Sequence, residues 1–263
     1  MYNKICVSLL CLNNLNQLDA FLQILSTEKI KFIELPISKI SRNFNFNKQK
    51  FIKIKKKFKL NSIKVSSIQS IFFNKNNWNI FDIKKHKVIL NHLTKVFKIA
   101  KYFESKNIIF GSPKNRYFYK NNNKQNAIIF FQKVKLIAAR FNINFCIEPN
   151  AKYYNCNYIN TVGEAVGLVK LISHKNFLIN VDTGNIFLEK DNCLSAKHNQ
   201  NLFANFQISE KNLISLSKSK VNHLKILKKF KIKNKFISLE MLNTDIQNLH
   251  QDILLFKKIV TKI

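Results

Sequence analysis

Residues 177–185 read FLINVDTGN, an apolar run that closes on a carboxylate. The arrangement recurs. NFCIEPN (144–150) carries Glu148 and FISLEML (236–242) carries Glu240, while FANFQISE (203–210) has Gln207 at the equivalent point. The chain holds 45 Lys and Arg against only 14 Asp and Glu. Acids this scarce, closing three of four successive strand-like runs, are placed by something other than surface solvation. Strands that each end in an oxygen donor predict a barrel with a metal-binding mouth.

Working outward, eight short β-branched or aromatic runs are found, at 4–12, 31–37, 63–70, 107–113, 144–149, 177–184, 202–209 and 235–242. Stretches with apolar residues at helical spacing lie between them. They cover 15–27, 83–104, 125–141, 161–172, 219–231 and 245–260, with 41–62 basic and helical only in part. Thr161 followed three positions on by Glu164 is a capping-box pattern. Strict alternation calls for right-handed crossovers and a parallel sheet. Eight repeats over 263 residues match one closed (β/α)8 barrel of about 250 residues. No glycine-rich turn follows the first strand, which argues against an open nucleotide-binding sheet. Two small domains would also fit the length, but no linker separates them, so a single domain over 1–263 is expected.

The formal charge of +31 invites a nucleic-acid reading. Only three of the positive residues are Arg (Arg42, Arg116, Arg140), and Lys, Asn, Ile and Phe, all abundant here, share A- and T-rich codons. The two Lys clusters, KIKKKFK (53–59) and KILKKFKIK (225–233), read as solvated helix faces, and nucleic acid is not an expected partner. Five cysteines in no CxxC pair fit a reducing cytoplasm. No apolar run approaches the ~18 residues of a membrane span, and ICVSLLCL (5–12) reads as a buried first strand. The six histidines do not fall on strand ends and are read as non-catalytic.

Taken in order, IELPIS (33–38), IQS (68–70), IIFGSPKNR (108–116), CIEPNAKYYNCNYINT (146–161), INVDTGN (179–185), FQISE (206–210) and ISLEML (237–242) resemble the xylose isomerase-like TIM-barrel superfamily. That group includes sugar phosphate isomerases/epimerases, ketose 3-epimerases and the AP endonuclease family 2 fold. The likeness runs through roughly residues 1–243. The GSPKNR and EPN segments look most like bacterial sugar isomerase/epimerase-like proteins associated with surface-polysaccharide synthesis. The resemblance implies one divalent metal held at Glu148, Asp182, Gln207 and Glu240, with Glu148 and Glu240 also exchanging the substrate proton. It implies a small sugar or phosphorylated sugar as ligand and leaves room for a homodimer.

The chain departs from the family at strand seven, where Asn205 and Gln207 stand in place of a His-x-His pattern, and at Asn185, where many relatives carry His. An all-oxygen set favours Mg2+ or Mn2+ over Zn2+. Glu34, Gln69, Asn185 and Asn205 are further candidates for binding substrate. Lys114 and Arg116 follow the strand-four turn, where an Arg fork would suit a phosphate. Glu210 reads as a helix cap or a salt-bridge partner. Any single carboxylate among these could equally cap a helix or pair with Lys. A barrel that binds sugar without turnover stays open as an alternative, as do dehydration of an inosose-like sugar and isomerisation of hydroxypyruvate.

Overall fold

The computed structural model describes residues 4–41 and 47–263. Eight strands, β1 (Lys4–Ser8), β2 (Phe32–Pro36), β3 (Lys64–Gln69), β4 (Asn107–Phe110), β5 (Asn144–Ile147), β6 (Phe177–Asp182), β7 (Phe203–Ser209) and β8 (Phe236–Glu240), form a closed barrel in sequence order. Every neighbouring pair is parallel, and β1 closes the ring on β8. Between them lie α1 (Leu18–Thr27), α2 (Ile37–Ile40), α3 (Lys48–Leu60), α4 (His86–Tyr102), α5 (Lys124–Phe141), α6 (Val162–Ile172), α7 (Thr183–Glu189) and α8 (His223–Leu227), with α9 (Ile246–Val260) after the last strand. All eight sequence-derived strands are present. No described helix is long and apolar enough to cross a membrane.

The period of two along a strand decides what faces the axis. On β7, Phe206 and Ile208 point outward, and Phe206 meets Phe230 of the surrounding layer at 5.5 Å between ring centroids. Asn205, Gln207 and Ser209 therefore point inward. The outward aromatics stack into a sheath between sheet and helices: Phe110 lies 5.4 Å from Phe145, and Phe145 lies 5.8 Å from Phe177. Phe131 of α5 closes on Phe177 at 5.4 Å. The apolar core is thus mainly a shell around the barrel. Near its C-terminal end the interior is polar, with Glu34, Ser67, Asn180, Asn205, Gln207 and Ser238 all fully buried.

Thr161 and Glu164 form the expected capping box at the start of α6. Two helices differ from the sequence reading. Helix α7 begins directly after β6 because the Asp182 side chain accepts the Asn185 N–H at 2.7 Å and caps it. The stretch 219–231 yields only the short α8, which starts where Asn222 caps Lys225 N–H at 3.0 Å. Of the basic segment 41–62, Lys48–Leu60 is α3, and residues 42–46 lie outside the described ones.

Gly184, at the β6–α7 junction, is required by contact. A Cβ built there would lie 2.6 Å from Ser209 Oγ and 2.7 Å from Ser209 O. The backbone oxygen cannot rotate away. Gly184→Ala is expected to destabilise the protein by about 1–3 kcal/mol, the usual cost of overpacking a tight contact, measured by chemical denaturation. Gly167→Ala, which meets nothing within 4 Å, serves as the control.

Candidate active site

The C-terminal ends of the strands enclose a cavity of about 270 Å3. Glu148 just after β5, Asp182 ending β6 and Glu240 ending β8 all line it, as do Gln69 and Asn185. The remaining wall is polar and neutral (Ser70, Ser112, Asn150, Ser209) or apolar and aromatic (Leu10, Ile109, Leu213, Tyr154). Among the described residues, no Lys, Arg or His lines this cavity. A chain with 45 basic residues therefore has a mouth whose ionisable lining is three carboxyls and one phenol.

A layer of amides supports those carboxyls from below. Asn150 Nδ2 and Asn185 Nδ2 donate to Glu148 Oε1 at 2.6 and 3.2 Å. Asn180 Nδ2 donates to Glu148 Oε2 at 3.1 Å and to Gln207 Oε1 at 2.5 Å. Gln207 Nε2 in turn donates to Glu34 Oε2 at 2.8 Å and to Gln69 Oε1 at 3.1 Å. Asn205 Nδ2 joins Glu34 Oε1 to Asn180 Oδ1 at 3.0 and 2.8 Å. Gln69 also touches Ser8. With its amide turned over, Gln69 donates to Glu240 Oε1 at 2.9 Å, and the choice between the two orientations rests on the hydrogen-bond network.

This geometry corrects several expectations. Gln207 does not line the cavity. It lies fully buried beneath it, and both ends of its amide face protein groups. Glu34 and Asn205 belong to the same buried layer and do not reach the cavity. Arg116 is no phosphate fork. It is fully buried, and its guanidinium donates to the carbonyls of Gly111 at 2.9 Å, Tyr158 at 3.1 Å, Ile159 at 3.4 Å and Glu148 at 2.8 Å, and to Asn150 Oδ1. Its work is to tie the loop after β5 to the loop after β4. Lys114 is exposed and outside the cavity wall. Glu210 is a salt-bridge partner, with its Oε1 2.8 Å from His223 Nε2.

Some participants escaped the sequence reading. Asn180 sits two residues before Asp182 and Ser209 two after Gln207, so strand alternation alone places both on the inner face. Asn150 was visible in the EPN segment. Tyr154, held by its hydroxyl accepting the Asn212 N–H at 2.9 Å, depends on loop packing, and no pattern reveals it.

Burial dominates the electrostatics. Glu148 is pushed up to about 8, first by burial and then by the Asp182 charge, against the pull of Arg116 and the Asn150 and Asn180 amides. Glu240 is raised well above the usual carboxylate range by burial and then by Glu148, Glu34 and Asp182. Asp182 is raised by burial, with Ser209, the Asn185 N–H and His223 opposing. Crowded carboxyls of this kind are stabilised by a proton or by a cation. The donor chemistry of Glu148, Asp182 and Glu240 fits a hard divalent cation. Asp182 Oδ2 is buried without a well-formed hydrogen bond, although Ser209 stands close enough to favour its charged form. As they stand, no three His, Cys, Asp or Glu side chains among the described residues converge into a closed ion cage. Gln207 does not fit as the fourth ligand.

The family's sequence profile, that of the xylose isomerase-like TIM barrel, matches residues 22–251. The chain belongs to this family. A search of curated proteins finds no sequence match. Among solved structures, D-psicose 3-epimerase in the presence of D-fructose superposes with a TM-score of 0.78 at 16% identity, covering 99% of this chain and 100% of that one. The IOLI protein with a bound zinc atom gives 0.75 at 16% identity, covering 98% of each chain. An AP endonuclease of family 2 from Brucella melitensis gives 0.78 at 11% identity, covering 97% and 98%. At these identities the shared property is the fold.

The raised carboxyls set the sign of a pH dependence. Between about 4.5 and 8 the folded protein retains a proton on Glu148 that the unfolded chain releases. The folded state binds more protons there, so stability falls as pH rises through that window. Thermal melts in chelator are expected to move to lower temperature from pH 5 to pH 8. The Glu148→Gln variant should show a visibly flatter profile.

Proposed function

We propose that this family member is a divalent-cation-dependent isomerase or epimerase acting on an unphosphorylated sugar. One observation carries the reading: carboxylates from the ends of β5, β6 and β8, distant in sequence, line one small cavity at the C-terminal mouth of the barrel, the face where such barrels do chemistry. The neighbours support it, since epimerases and a zinc-binding protein of this fold superpose over nearly the whole chain.

Moving a carbonyl or inverting a carbon beside it requires removal of a weakly acidic C–H proton. Glu148, Asp182 and Glu240 would hold the cation, which when bound supplies charge stabilisation to the developing enediolate. Glu148 is oriented for proton exchange. Two amide donors occupy its Oε1 and one occupies Oε2, which leaves Oε2 as the freer atom to take the proton. Gly111 keeps the approach open, because a Cβ there would stand 3.2 Å from Oε2. Glu240, on β8, is the partner that exchanges a proton from another side of the cavity. Asp182 caps α7 and so has a fixed position. Tyr154, Leu10 and Leu213 give apolar surface for the carbon skeleton, and Asn150, Asn185 and Ser209 offer hydrogen bonds to hydroxyls.

The lining favours a free sugar over a sugar phosphate. With no basic side chain among the described residues to receive it, a phosphate would add two negative charges to an acidic, partly dehydrated site. The volume is at the small end of ligand cavities, which suits one monosaccharide.

Deuterium uptake from solvent into a panel of free ketoses and their phosphates, with Mn2+ present, tests the reading. Exchange into a free ketose, absent from its phosphate, is expected. Glu148→Gln and Glu240→Gln should each lower the rate by about 10²–10⁴-fold. Full exchange in both variants would overturn the assignment. The burial of Gln207 favours a second reading, a sugar-binding barrel without turnover, and ligand binding with no exchange in any condition would establish that instead.

Calorimetry separates the ligand set. Asp182→Asn should abolish measurable Mn2+ binding. A folded Gln207→Met variant should weaken Mn2+ binding by about 10–100-fold without abolishing it, the usual effect of losing a residue that orients ligands without touching the ion.

A further inference from the structure

Immediately behind the acidic mouth lies a buried hydrogen-bonded pair to which the proposed chemistry gives no role. Glu210, the residue after β7, turns away from the cavity, and its Oε1 stands 2.8 Å from His223 Nε2. Both side chains are almost completely buried, at 5% and 1% exposure. Ser219 Oγ also donates to that Glu210 oxygen. On the other side of the ring, His223 Nδ1 lies 2.9 Å from Thr183 Oγ1, and Thr183 Oγ1 donates to the Gln207 carbonyl at 3.2 Å.

Both ring nitrogens of His223 are thus engaged, Nε2 by Glu210 and by Ser219 Oγ at 3.3 Å, and Nδ1 by Thr183.

We propose that His223, held by Glu210, is a positioning residue that locks the turn carrying Asp182 to the end of β7 carrying Ser209. The lock has three points. His223 of α8 grips Thr183 at the start of α7, Thr183 grips the backbone of β7, and Glu210 returns the chain to His223. Gly184, next along, has no room even for a methyl group against Ser209, so the two strand ends are seated at contact distance. Asp182 is held by its cap on the Asn185 N–H and, through its neighbour Thr183, by this clamp. The inference extends the reading of Asp182 as a working mouth residue, but its test does not require cation binding or turnover.

The readout is hydrogen exchange at the Asn185 amide, which reports whether Asp182 keeps its place. His223→Gln alone would strand a buried carboxylate and could unfold the protein. The full-length double variant His223→Gln/Glu210→Gln replaces both ionisable side chains by amides and conserves approximate volume. Relative to the parent, exchange at Asn185 is expected to rise roughly tenfold or more through local opening. The Phe103 amide, which donates to the Ile99 carbonyl at 3.0 Å at the end of α4, should not change. Unchanged protection of Asn185 in the folded double variant would overturn the proposal. If the parent binds no Mn2+ but these results hold, the functional reading fails and the clamp stands. If Mn2+ binds and the Asn185 amide does not respond, the reverse follows.

Discussion

Asn180 donates its single side-chain NH2 group to two acceptors, Glu148 at 3.1 Å and Gln207 at 2.5 Å, and accepts from Asn205 at 2.8 Å. The mouth depends on that bridge. Through it the carboxyl that faces the cavity is joined to the buried carboxyl of Glu34, and every amide between them has a defined orientation. A buried polar layer is tolerable only when its members satisfy one another, and most of these do. The cost of this construction appears in the raised carboxyls of Glu34, Glu148 and Glu240, for which burial is the leading cause.

Charge is segregated with unusual sharpness. A chain of formal charge +31 keeps its lysines out of the cavity lining, and Arg116 is consumed by backbone carbonyls. The positive field of the whole surface acts on solutes before they reach the cavity. Inside, three carboxyls set the local preference, and a cation, a proton or a neutral hydroxyl-rich ligand suits them. The buried His223–Glu210 pair sits behind this wall, outside the cavity lining.

Family membership and chemistry separate at strand seven. The barrel and its strand order agree with the family. Gln207 stands at the position of an expected ligand, yet its amide is engaged by Asn180, Glu34 and Gln69. An amide with donors at one end and acceptors at the other fits between opposite neighbours. That property makes Gln207 suitable as a link in a hydrogen-bonded layer and unsuited to lie free at the cavity surface.

The sequence by itself determined the alternation of eight strands and intervening helices, the capping box at Thr161, and the assignment of Glu148, Asp182 and Glu240 to strand ends. These follow from local periodicity and from acids too rare to fall there by surface patterning. Only the tertiary structure decided which of the inward side chains reach the cavity and which lie beneath it. It buried Arg116, left Lys114 outside, withdrew Gln207, Glu34 and Asn205 into the supporting layer, and brought Tyr154 and Ser209 to the wall. The physical reason is depth along the barrel axis. Side-chain alternation tells inside from outside, but the level of each residue depends on register between strands, with shifts such as those at Ile33/Glu34 and Ile179/Asn180, and register is a property of paired strands rather than of any one of them.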